Sequence, residues 1–182
     1  VAMTVNSIGG YVASASSKQG NYEPWNAFSV YTSNANRWQS MGNTYDSSGN
    51  WVSGVGATGV QFTDTASGQH SGEWIKMQLP KSIKLDYIRY LCNYTTFMTK
   101  DFVILGSNDD TSWTLLKSVT GGTSIEDVYH TLHINAGGYY KYYVWLTTAI
   151  NGDGGEVLFN DICFYGHEEG DSSLDTTLKS VY

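Results

Sequence analysis

The chain has 182 residues, a formal charge of -7, 41% hydrophobic and only 15% charged residues, with 14 Tyr and 20 Gly. That balance excludes a disordered polyelectrolyte and a coiled coil, and the length suits one domain with a substantial core. The ten Lys and Arg are spread singly, so no basic stripe exists to neutralise phosphates, and nucleic acid is not expected as a partner. No stretch reaches the roughly 18 to 20 apolar residues of a transmembrane segment. The start, VAMTVNSIGG, has neither the zones of a signal peptide nor an initiator Met, and reads as a soluble piece of something longer.

In chain order, residues 1–9 read as a lead-in and residues 10–166 as the folded domain. Residues 41–71 form a long Gly, Ser and Thr-rich insertion with a short strand candidate at 59–63; loops of this length inside a compact domain are often functional. Residues 73–79 alternate Trp74, Lys76 and Gln78 with Ile75, Met77 and Leu79, and runs at 101–107, 113–118, 129–134 and 140–148 are rich in β-branched and aromatic residues. These predict strands. Turn signals separate them at Pro80-Lys81-Ser82, at 107–110, at Gly121-Gly122, at 135–138 and at 151–155, the spacing of an antiparallel sandwich or barrel. Both prolines, Pro24 and Pro80, are expected beside strands and not inside them. The tyrosines 139, 140, 142 and 143 should alternate between core and an outer face. Residues 167–182, acidic and almost free of large apolar side chains, read as a linker towards a following domain.

Catalytic constellations are absent from this pattern. His130 and His133 lie three apart on a strand, which points them to opposite faces and away from a shared metal. The run 151–155 is glycine-rich but lacks the Lys and Ser/Thr of a phosphate-cradling loop. Glu156 and Asp161, five apart on one apparent strand, would also face opposite ways, against an acid/base pair. Cys92 and Cys163 either pair across about 70 residues or pack as buried thiols. Asn93-Tyr94-Thr95 has the N-glycosylation pattern.

The order Gly10-Tyr11-Val12-Ala13-Ser14-Ala15-Ser16, Trp25-Asn26-Ala27-Phe28, Arg37-Trp38-Gln39-Ser40 and Gly72-Glu73-Trp74-Ile75-Lys76-Met77-Gln78-Leu79-Pro80 resembles the coagulation factor 5/8 type C, or discoidin, domain. Residues 101–113, DFVILGSNDDTSW, resemble that family's strand, hairpin and Trp, and residues 140–144 and 159–166 resemble its closing strands. The wording is most similar to copies in large proteins of giant algal viruses. The resemblance implies an all-β, antiparallel jelly-roll sandwich of the galactose-binding-like kind, without catalysis, whose loops at one end bind glycans, lipid head groups or proteins. It implies an extracellular or virion-surface setting, with glycans on such a surface, and other protein subunits, as partners. Relatives closest to carbohydrate-binding modules often hold a structural Ca²⁺. Asn36 and Asp161 stand at the matching positions, but Ser29 replaces the family's usual Asp, and the spacing from Phe28 to Trp38 is longer than usual.

Sugar recognition needs an aromatic plate under the apolar face of a pyranose and a few planar polar groups for its hydroxyls. Tyr31, Trp51, Tyr94 and Phe97 supply candidate plates in predicted loops, and Arg37, His70, Asn151 and Asp153 the polar groups. Trp38, Trp74, Trp113, Phe102 and Ile104 are expected in the core. The rival reading is a structural, protein-binding module of the same fold, using the tyrosine face and the insertion as its contact surface.

Overall fold

The computed structural model describes residues 2–53, 59, 61–123, 125–153 and 155–171. It is all-β, with 48% strand and 5% helix. Strands β1 (Ser7–Ile8), β2 (Tyr11–Ala15) and β3 (Trp38–Gln39) are followed by the insertion's hairpin, β4 (Phe62–Thr63) and β5 (Gln69–His70). Then come β6 (Glu73–Leu91), β7 (Thr99–Ser107), β8 (Thr114–Val119), β9 (His130–His133), β10 (Tyr140–Ile150), β11 (Leu158–Phe159) and β12 (Asp161–Glu168). Short 3-10 turns cover Pro24–Phe28 and Thr95–Phe97. The antiparallel sandwich expected from the sequence is what forms.

Its organising element is β6, 19 residues long. The first half pairs with β2 and β10, the latter pairing β7, while the second half pairs with β12 on one side and β9 on the other. Pro80 and the residues after it do not break the strand, contrary to the turn expected there. β6 continues through them, and Pro80 lies inside the element. The β2 ladder ends at Gln78 and the β12 ladder begins at Ile83, so the missing N–H of Pro80 falls between two ladders where nothing needs it.

Ile75, Met77 and Leu79 of β6, Phe102 and Ile104 of β7, and Tyr143 and Trp145 of β10 join Trp38, Phe159, Ile88 and Ile162 in the main core. Trp145 stacks on Phe102 and meets Tyr90 and Phe159 edge-on, which locks the two halves of β6 onto the same cluster. The opposite faces of β7 and β10 are also buried: Val103, Leu105, Val144 and Leu146 form a second cluster with Phe62 of the hairpin and Trp113. Trp74 points into this second cluster and is only half-buried, unlike the expectation that placed it in the core with Trp38. The alternation itself explains this, since Trp74 is out of phase with Ile75 and Met77. The insertion therefore contributes Phe62 to the cluster on the sheet's outer side, while its Tyr45 and Trp51 pack on the main core; its residues 54–58 and 60 lie outside the described residues.

The tyrosine run does not alternate simply. The register between β10 and β6 shifts between Tyr140 and Tyr142, so Tyr140 and Tyr143, three apart, both turn to the main core, while Tyr142 packs on the second cluster. A bulge of this kind moves every later side chain to the other face. The sheet also draws in residues on both sides of the 10–166 span: Met3 is 1% exposed in the main core, β1 pairs with β2, and β12 runs to Glu168. Residues 172–182 of the expected linker lie outside the described residues. Cys92 and Cys163 are free thiols, the first buried and the second half-buried.

Candidate functional site

Trp38 sets the position of one loop end. Its indole is fully buried, stacks on Phe159 and donates Nε1–H to the carbonyl of Ser17 at 3.0 Å. The preceding side chain, Arg37, is thereby turned to the other face. Its Nε–H donates to Gln39 Oε1 at 2.7 Å and its Nη1 to the Asn34 carbonyl at 3.0 Å. The guanidinium lies 4.1 Å from the ring centroid of Tyr22 and 5.8 Å from that of Tyr94. Tyr94, 43% exposed, meets Phe97 edge-to-face at 5.6 Å. The turn between them is held by Glu126, which accepts from both the Thr95 amide and hydroxyl.

Asn151 joins this group through its backbone N–H, donated to the Met98 carbonyl at 3.0 Å. Gly152 is required for that approach, because a Cβ there would stand 2.8 Å from Thr96 Cβ. Asp153 is exposed in the same loop. Glu156, half-buried behind it, has its carboxyl raised by burial, against a hydrogen bond to Gln39 and the charge of Arg37 that pull it down. A fixed guanidinium, one exposed and two half-buried aromatic rings and an amide thus converge on one end of the sandwich. Such a surface can stack on an apolar ring face and donate to hydroxyls.

The remaining candidates fall elsewhere or are packed. Trp51 is half-buried against the main core, with its backbone N–H on the Thr148 carbonyl and its indole N–H buried without a partner among the described residues. His70 sits in the β4–β5 hairpin, its Nε2 2.9 Å from Asp64 Oδ2. That carboxylate also accepts the Ala66 and Gly68 amides, so His70 is a hairpin clasp separate from the loop-end group. The Tyr31 hydroxyl bonds Asn34 Oδ1 at 2.5 Å. Tyr31 and Asp161 line a groove of about 1110 Å³ that runs along β12 towards His167, and Asn34, which bonds Tyr31, links its edge to Arg37. Sequence reasoning misses Tyr22, Gln39, Glu126 and Glu156 as members of the loop-end group. Gln39, on β3, shares a face with Arg37 two residues before it, whereas Tyr22, Glu126 and Glu156 are brought in by separate segments that no spacing marks.

Asn36 and Asp161 are tied inward. The Asn36 carbonyl accepts Nδ2–H of Asn160 at 3.3 Å, and the Asn36 amide reaches Ser29 Oγ. Asp161, 6% exposed, accepts the Tyr129 hydroxyl at 2.5 Å on one oxygen and the Cys163 thiol at 3.5 Å on the other. Burial raises its carboxyl, and burial followed by the Asp161 contact raises the Tyr129 phenol. Calcium takes six to eight oxygens, usually with several carboxylates. This donor set offers one carboxylate with both oxygens engaged, so as arranged it does not fit a calcium cage. Among the described residues no group of three His, Cys, Asp or Glu is placed to hold a metal. His130 and His133 do lie on different faces of β9, packed on Tyr90 and Tyr87 respectively. Glu156 and Asp161 are not on one strand: Glu156 lies in the bend before β11, and Asp161 opens β12. Asn93 is 5% exposed, which hides the glycosylation pattern inside the folded domain.

No family model matches the chain, and no curated protein sequence matches it significantly. Solved structures do. CBM32-3 from a family 31 glycoside hydrolase of Clostridium perfringens superposes with a TM-score of 0.61 at 17% identity, covering 87% of this chain and 92% of that one. The family 32 CBM of C. perfringens NanJ, solved in complex with galactose, gives 0.57 at 17% identity over 85% and 92%. Chitosan-binding module 1 from a chitosanase/glucanase of Paenibacillus sp. IK-5 gives 0.60 at 20% identity over 86% and 96%. The fold is the galactose-binding-like β-sandwich that these carbohydrate-binding modules share.

Proposed function

We propose that this chain is a non-catalytic carbohydrate-binding module of a larger extracellular or virion-surface protein, binding the terminal residue of a glycan at its loop end. The observation that carries the reading is the Arg37 guanidinium fixed beside Tyr22 and Tyr94, with Phe97 and Asn151 next to it. The neighbours of the same fold are carbohydrate-binding modules, one solved with galactose and one named for chitosan. The surface setting rests on the sequence resemblance. Stacking that buries about 100 Å² of sugar contributes roughly 2 to 3 kcal/mol, and each hydrogen bond about 1 kcal/mol net. After the cost of ordering, affinity falls in the high micromolar to millimolar range, so several copies would act together. A glycan array probed with a multivalent form of the domain, with and without calcium, tests this. Sugar-dependent signal lost in Arg37→Ala supports it, and no signal from any glycan overturns it.

A protein-binding role is the second reading. Tyr87 and Tyr165 stack at 4.6 Å on the outer side of the β12–β6–β9 layer, with Tyr165 36% exposed. On the surface that the sequence suggests for that role, Tyr140, Tyr142 and Tyr143 pack on the two cores, while much of the described part of the insertion is exposed.

A further inference from the structure

A second concavity, of about 600 Å³, opens on the outer face of the sheet between the β4–β5 hairpin and the turn after β7. It shares none of the loop-end residues. The long strands separate the two places: Met98, which anchors Asn151, precedes β7, whereas Asp110 follows it. The wall of the dish is Trp74, half-buried and held edge-to-face by Phe62 at 5.6 Å. Phe62 is itself pinned on Trp113 at 5.0 Å, which fixes the orientation of the Trp74 ring through packing rather than through solvent-exposed contacts.

Beside the indole stands an ion pair. Lys76 Nζ lies 2.7 Å from each Asp110 oxygen and 5.7 Å from the Trp74 ring. Asp110 adopts φ 62°, a conformation uncommon outside glycine, within a turn closed by Ser107 and by Asp109, whose Oδ1 accepts the Thr111 and Ser112 amides. The turn thus presents the Asp110 carboxylate to Lys76. At the rim, Gln61 gives its oxygen to the Gly72 amide, while its Nε2 is buried with no partner among the described residues. Thr63 and Thr111 add exposed hydroxyls.

We infer that this dish is a second carbohydrate subsite, for one neutral hexopyranose. An indole face suits the apolar face of the ring, and a volume of about 600 Å³, within the range of small-molecule pockets, admits a single sugar. An ammonium next to a carboxylate offers a donor and an acceptor that two vicinal hydroxyls can bridge together. The pair carries no net charge, so the dish selects neither uronic acids nor cationic amino sugars.

The test uses the whole chain labelled with ¹⁵N and titrated with the methyl glycosides of β-D-galactose, β-D-glucose and α-D-mannose. The Trp74 indole N–H signal should move saturably with at least one of them by about 50 mM, above the millimolar affinity expected of one stacked ring. In Trp74→Ala the saturable shifts of the Thr63 and Thr111 backbone amides, which line the same dish, should be lost, and Lys76→Met and Asp110→Asn, which leave the packing of Phe62 on Trp113 in place, should each weaken binding about fivefold to tenfold. Arg37→Ala should leave the Trp74 titration unchanged while removing the loop-end response, which separates failure of this subsite from failure of the loop-end reading. No movement of the Trp74 signal with any of the three glycosides, or an affinity in Lys76→Met and Asp110→Asn unchanged from that of the parent chain, overturns the inference.

Discussion

Arg37 and Tyr22 are 15 residues apart in sequence, yet the guanidinium lies 4.1 Å from the phenol ring centroid. Gln39, 4% exposed, accepts from Arg37 Nε and donates to Gln19 Oε1 at 2.9 Å, so the stacked cation is braced from beneath. Arg37→Ala should reduce glycan binding about tenfold or more with little change in melting temperature. Arg37→Lys should restore only part of the loss, because an ammonium lacks the planar fork that both stacks and donates. Calorimetric titration of the two variants distinguishes these outcomes.

Trp38 links the loop end to the core. Truncating this fully buried indole removes its stacking on Phe159 and its bond to the Ser17 carbonyl. Trp38→Ala should cost about 3 to 5 kcal/mol in urea unfolding, whereas Tyr94→Ala, at an exposed position, should cost under about 1 kcal/mol.

At Gly152 the loop carrying Asn151 and Asp153 comes against Thr96 more closely than any side chain permits. Gly152→Val should therefore push that loop off the Tyr94–Phe97 turn. Glycan affinity is expected to fall severalfold while global stability drops by only about 1 to 2 kcal/mol; unchanged affinity would mean the loop takes no part.

Carboxyl groups of opposite shift should give opposite pH responses. Asp64 is held below its ordinary value, first by the His70 contact and then by the Gly68 amide. The folded state then binds fewer protons, so this contribution is present above about 3.8 and is lost as pH falls through the depressed pKa. Glu156 is raised by burial, so its contribution is present below about 4.5 and is lost as pH rises through the raised pKa. Asp64→Asn should destabilise at neutral pH and converge with the parent in acid, and Glu156→Gln should gain relative stability on going from acid to neutral pH. Melting curves across that range check both signs.

Millimolar calcium should leave the melting temperature unchanged, since a cation would have to displace Tyr129 and Cys163 from Asp161. A ligand bound only by the folded state raises stability by RT ln(1 + [L]/Kd), so a clear upward shift with calcium, reversed by chelator, would show that the Asp161 contacts rearrange.

The strands are legible in the sequence because their alternation is strong: Ile75, Met77 and Leu79, or Phe102 and Ile104, point one way and meet in one core. The misreadings are local. Pro80 reads as a stop, and nothing in its neighbours tells that a strand can turn a corner where its N–H has no ladder to serve. The bulge before Tyr142 is equally silent and reverses the phase of the rest of β10. Of the binding candidates, Arg37, Tyr94, Phe97 and Asn151 do come together, because loops between long strands collect at sheet ends. His70 does not, since its β4–β5 hairpin folds back over the side of the sheet. Tyr22 carries no pattern at all, and only tertiary contact makes it part of the site.

Because one uninterrupted strand belongs to both layers, pulling the layers apart would load β6 along its own backbone before either ladder could be sheared cleanly. β6 pairs with β2 and β10 through its first half and with β9 and β12 through its second, so tension entering at any of those four partners reaches the same polypeptide segment. Under load the fold would thus behave as a single mechanical link, its two layers joined through the backbone of β6 and not through side-chain contacts alone.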